Sequence, residues 1–130
     1  MPSETTAYLA AHPGKVYGIG GPAAAADSPA TPVVGPDRFA TAVLVAQQFF
    51  IAPTHVGVAS GATFPDALAA GAFMARTDGP LLLTTPTALA ANPSTYISSE
   101  TPITTADLFG GTAALSAAVQ TQASTALQLH

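Results

Sequence analysis

Residues 55–84 read HVGVASGATFPDALAAGAFMARTDGPLLLT, and the order of periods in this stretch decides the fold. Residues 55–59 form a short apolar run closed by Ser60 and Gly61. Residues 64–76 are long enough and small enough for a helix, and Asp78, Gly79 and Pro80 stop it. Residues 81–84 are again a short, almost wholly apolar run. A strand that is apolar on both sides must be covered on both sides. Two such strands joined by a helix run parallel. The expected class is therefore α/β: an open, mostly parallel sheet with helices on both faces, Rossmann-like or flavodoxin-like.

The same alternation continues outward. Residues 15–19, 31–34 and 106–109 read as further strands. Residues 37–50 read as a helix, with Phe39, Ala42, Val43 and Ala46 at i, i+3, i+4 and i+7. Residues 92–98 read as another, with Asn92 as N-cap and Pro93 at the first helical position. Alanine-rich sequence up to residue 129 suggests a last helix. An internal repeat overlies this pattern. Ile19-Gly20-Gly21-Pro22-Ala23-Ala24 is echoed by Phe109-Gly110-Gly111-Thr112-Ala113-Ala114. Pro2-Ser3 and Tyr8-Leu9 are echoed, in the same order, by Pro93-Ser94 and Tyr96-Ile97. Residues 1–30 are thus expected to be the tail of a preceding unit, helix plus strand, packed into the same domain. Residues 31–130 are expected to be one full unit.

Composition excludes several functions. The only basic side chains are Lys15, Arg38 and Arg76, against 7 carboxylates, for a net charge of −4. No basic stripe exists to neutralise a nucleic-acid backbone. Apolar residues make up 48%, enough for a packed core rather than a disordered chain. Cysteine is absent, so thiolate metal sites and disulfides are out. Residues 1–4 show neither the basic nor the apolar region of a secretory leader, which leaves an intracellular chain or a piece of a longer secreted one. The longest near-apolar run, residues 67–75, is too short to span a bilayer, so no membrane insertion is expected.

Catalytic chemistry has no constellation here. His12, His55 and His130 lack metal-ligand spacing, and His130 reads as a mobile end or tag remnant. Ser60 has no glycine two residues before it, so it is not a nucleophile elbow. Gly20-Gly21 and Gly110-Gly111 carry neither a dinucleotide fingerprint nor a P-loop lysine, and tight strand-to-helix turns explain them. An enzyme on this fold would need one of these signals, so no catalytic residue, cofactor or metal is expected.

Two loops suit ligand binding instead. Asp37 can cap the helix that follows it, while Arg38 in the first turn stands against the helix dipole. Either a salt bridge to Asp37 or Asp66 or an anion contact would explain that arginine. Thr63 and Asp66 have the spacing of a capping box. In an open parallel sheet ligands bind at the carboxyl ends of the strands, which brings Ser60, Thr63 and Asp66 into the same candidate crevice. Capping alone would also account for Asp66.

The segments VVGPDRFATA (33–42), ASG (59–61) with FPDALAA (64–70), GPLLLT (79–84) and LFGG (108–111), in this order, resemble the cell-wall-binding repeat 2 family of Gram-positive bacteria. The resemblance runs from about Val33 to the C-terminus. It implies a non-catalytic module, usually three in tandem about a pseudo-threefold axis, that anchors secreted surface proteins to anionic cell-wall polysaccharide or teichoic-type polymer. It also implies extracellular, cell-wall localisation. Arg38, Pro80, Leu81 and Leu82 are the polymer contacts it suggests. Pro36 stands where the family commonly has a small residue, and Leu81 where it often has isoleucine. Only one full unit is present, so a site shared between repeats implies a homo-oligomer, a trimer. The alternative reading is a structural self-assembly module without a ligand, held by the small-residue helix over residues 67–75.

Overall fold

The computed structural model describes residues 1–100 and 102–129; His130 lies outside them. Helices α1 (Ser3–Ala11), α2 (Gly21–Ala26), α3 (Arg38–Phe49), α4 (Pro65–Met74), α5 (Ala91–Ser99) and α6 (Ala117–Leu127) are interleaved with strands. The strands are β1 (Tyr17–Ile19), β2 (Thr31–Val33), β3 (His55–Ser60), β4 (Leu81–Thr84) and β5 (Thr105–Phe109). All pairing is parallel, and the fold class is α/β. The strands divide into two sheets, β1-β2 and β4-β3-β5, where the sequence suggested one.

β3 is central because both its faces are apolar. Val58 pairs with Leu82 on one side and Leu108 on the other. Val56, Val58 and Leu82 are fully buried, on the face covered by α3, α5 and α6. Their cluster takes in Val43, Tyr96, Ile97 and Val119. The opposite face lies under α4, where Met74 is buried and Phe73 meets Phe109 edge-on, ring centroids 5.5 Å apart. Alternation of side chains along each strand produces this division.

Two helix starts depart from the sequence reading. α5 begins at Ala91, with Ala90 as N-cap and no side-chain cap bond, so Asn92 and Pro93 lie inside the first turn. α4 begins at Pro65, with Phe64 as N-cap and again no side-chain bond. The capping box of Thr63 and Asp66 therefore does not form. Proline fixes its own φ and is preferred at the first helical position, which leaves Thr63 one residue too early to cap.

Candidate functional site

Four strands end on the same side of the molecule. Gly20 and Gly21 follow β1, Val34 and Gly35 follow β2, Gly61 follows β3, and Leu83 lies near the end of β4. Between them open two clefts. One, of about 620 Å³, is lined by Ile19, Gly20, Gly35, Arg38 and Leu83, among others. The other, of about 340 Å³, is lined by Arg38, Ser60, Gly61, Thr63, Phe64 and Leu83. Arg38 and Leu83 belong to both.

The placement of Arg38 follows from α3. The Asp37 carboxylate accepts from the Ala40 N–H at 2.8 Å and fixes the helix start. Thr41 adds a second clasp: it donates to the Asp37 carbonyl at 2.8 Å and accepts from the Gly35 N–H at 3.0 Å. Arg38 is then the first helical residue and is exposed. Its guanidinium donates to the Gly61 carbonyl, not to Asp37 or Asp66. Gly61 makes this approach possible. A Cβ there would come within 2.9 Å of the Phe39 ring and 3.1 Å of Arg38 Cδ. A guanidinium carries five N–H donors, so one carbonyl leaves most of the fork open. The N–H groups at the start of α3 add a partial positive charge beside it.

The other candidates separate into two groups. Ser60 is buried, and its hydroxyl accepts from the Ala62 N–H at 3.2 Å. Thr63 is exposed in the smaller cleft. Asp66 is half-buried, and its carboxylate lies beside Gly110, against the turn that ends β5. Pro80 and Leu82 are fully buried. Leu82 sits in the core, and Pro80 precedes β4 at the end remote from Arg38, its carbonyl accepting from Gly57 N–H. Neither side chain can reach a polymer, because each is apolar surface already removed from water. Leu81 is half-buried at that same remote end. Leu83, two residues on, is the one from this strand that reaches both clefts. It carried no chemical signal in the sequence; only alternation outward from Leu82 could have found it. Phe64, 79% exposed at the rim, is another residue that reading missed.

Among the described residues no group of three or more His, Cys, Asp or Glu could hold a metal ion. His55 lies at the opposite end of β3 and meets Thr54 Oγ1 at 3.0 Å. His12 is exposed and stacks on Tyr8. Among the described residues no helix is long and apolar enough to cross a membrane.

An open cleft with a guanidinium fork only partly occupied by the Gly61 carbonyl, at the carboxyl ends of parallel strands, suits an α/β binding module. The chain belongs to the cell wall binding domain 2 (CWB2) family, whose model matches residues 33–120. Cell-wall binding is thus its function class. Among solved structures it is similar to Cwp8 from Clostridium difficile, with a TM-score of 0.77 and 23% identity. That match covers 99% of this chain and 24% of the other, so this chain spans about a quarter of that protein's length. At that identity the likeness speaks for the fold. A comparison with curated protein sequences gave no match.

Proposed function

We propose that the domain holds an anionic cell-wall polymer, a polysaccharide or teichoic-type chain, without chemistry, and so anchors a surface or secreted protein to the wall. The observation that carries this is the exposed Arg38 fork shared by two adjoining clefts. A polymer with repeated phosphate or carboxylate groups could place one group on the fork and run its neighbours along each cleft. The net charge of −4 opposes such a ligand at long range, so affinity rests on these local donors. Ser60, Thr63 and Asp37 shape the walls around the fork. Copies associating about a threefold axis would multiply weak sites into useful avidity.

Binding isotherms with purified wall polymer test this. Loss of a charge-assisted hydrogen bond costs about 1.5–3 kcal/mol, so Arg38→Ala should weaken binding by roughly ten- to a hundredfold. Arg38→Lys should recover part of it. Equal affinity of wild type and Arg38→Ala, with both folded, would remove the fork from the site.

A second reading, self-assembly without a ligand, is favoured by α4. Phe64 and Leu68 are 79% and 72% exposed on its outer side, a large apolar surface that water does not favour. Leu68→Glu separates the two: it should break self-association and leave polymer binding per chain unchanged.

A further inference from the structure

Tyr96 carries a phenol that the fold does not use. The residue is 3% exposed and belongs to the core cluster with Val43 and Ile97. A buried phenol normally finds a hydrogen-bond partner, and a core that needed only an aromatic ring would be served as well by phenylalanine. Among the described residues the Tyr96 O–H has no partner, yet no side-chain nitrogen or oxygen there is both enclosed and unpartnered. The phenol oxygen therefore reaches open space. The space that Tyr96 lines is a third cleft, of about 420 Å³, between α3 and α5. That volume lies within the roughly 300–1,000 Å³ of small-ligand sites.

This cleft differs in kind from the two that share Arg38. Among the described residues no charged side chain lines it. Gln47 from α3 and Asn92 and Thr95 from α5 bring two amides and a hydroxyl to its rim, all exposed. Amides and hydroxyls both donate and accept hydrogen bonds. A phosphate or carboxylate asks for donors alone and a cation for acceptors alone, so the mixed set suits neither. The hydroxyls of a sugar also donate and accept. Pro36, Ala40 and Leu44 supply an apolar wall on which the C–H face of a sugar ring can lie, out of water. Burial, then the Glu100 carboxylate, holds the phenol's pKa above its ordinary value, so the phenol keeps its proton and can donate. The same carboxylate disfavours an anion nearby.

We propose that the cleft between α3 and α5 is a binding site for one uncharged sugar unit, with the Tyr96 phenol at its floor and Gln47, Asn92 and Thr95 around its rim. This site is separate from the Arg38 fork and stands without it. One further step rests on the polymer reading above. Pro36 lines both this cleft and the larger Arg38 cleft, so a sugar seated here lies next to the group that the fork holds. The pair would then select a chain in which an uncharged sugar adjoins an anionic group.

Amide NMR of the isotope-labelled chain, titrated with glucose and with N-acetylglucosamine, tests the site without polymer. We expect saturable shifts from at least one of the two, in the millimolar range, confined to α3, α5 and their neighbours. The 6-phosphate of the sugar that binds should bind there more weakly. Tyr96→Phe removes one hydrogen bond and should weaken binding by roughly two- to tenfold. Gln47→Ala/Thr95→Ala changes only exposed side chains, so the fold is kept, and it should weaken binding at least as much. No shift at α3 and α5 with either sugar would overturn the proposal. So would equal affinity for the 6-phosphate, or undiminished affinity in both variants. Shifts there that grow with protein concentration in the absence of sugar would assign the cleft to a second copy and overturn it too. Sugar shifts without polymer binding would sink the polymer reading alone, and polymer binding without sugar shifts would sink this site alone.

Discussion

α1 and α5 each lead into a strand that ends in Gly-Gly, but α1 buries none of its residues while α5 buries Pro93, Tyr96 and Ile97. β5 lies against the central strand; β1 has only β2 beside it. The local signals are alike, so local propensity cannot be what separates them. α5 has α6, α3 and the face of β4 to pack on. α1 has no counterpart of either. A helix gains most of its stability from an apolar face in contact with something, and the two copies measure what that contact is worth.

The largest contrast should appear in stability. Leu82→Ala removes a fully buried side chain from the body's core and should cost about 3 kcal/mol. Leu9→Ala, on half-buried Leu9 of α1, should cost under about 0.5 kcal/mol. Urea denaturation of both variants decides it. Comparable losses would mean that the N-terminal copy is docked as firmly as the body.

Next comes an effect of pH confined to the body. Tyr96, 3% exposed, is pushed up to about 12 from its ordinary value near 10, first by burial and then by the Glu100 carboxylate. The folded state thus holds the phenol's proton more tightly than the unfolded chain does. Stability from this group is fully present below pH 10 and is lost as pH rises towards 12. At 1.36 kcal/mol per unit over those two units, the full loss is about 3 kcal/mol. Tyr96→Phe should flatten that decline in melting temperature; an undiminished decline would place its cause elsewhere.

These contrasts also mark how far the sequence was legible. The run from Leu81 to Thr84 identified itself as a buried strand, because four residues between a Gly-Pro turn and polar sequence can be little else. With the helices around it, that was enough for the α/β class. The split into two sheets was not legible: β1 reads as well as β5, and only the absence of a neighbouring central strand distinguishes it. The candidate site was half legible. Arg38 announced itself by standing against the helix dipole. Leu83 could not, since an apolar residue in an apolar strand carries no sign of which face meets water. Pro80 and Leu82 were drawn in by resemblance and excluded by burial.

The smallest contrast tests the helix starts themselves. Asp37 and Asn92 look alike in sequence, each a short polar residue before a helical run. Only Asp37 caps: its carboxylate accepts the Ala40 N–H at 2.8 Å. Asn92 lies inside α5, beyond the N-cap at Ala90, and α5 has no side-chain cap bond. Asp37→Ala should therefore cost about 1 kcal/mol, and Asn92→Ala within about 0.5 kcal/mol of nothing. Because α3 starts at Arg38, losing the Asp37 cap should also loosen the guanidinium's seat on Gly61 and weaken the proposed polymer binding. Asn92→Ala should leave that binding alone. A stability cost at Asn92 equal to that at Asp37 would mean that α5 begins two residues later in solution, with Asn92 as its cap after all.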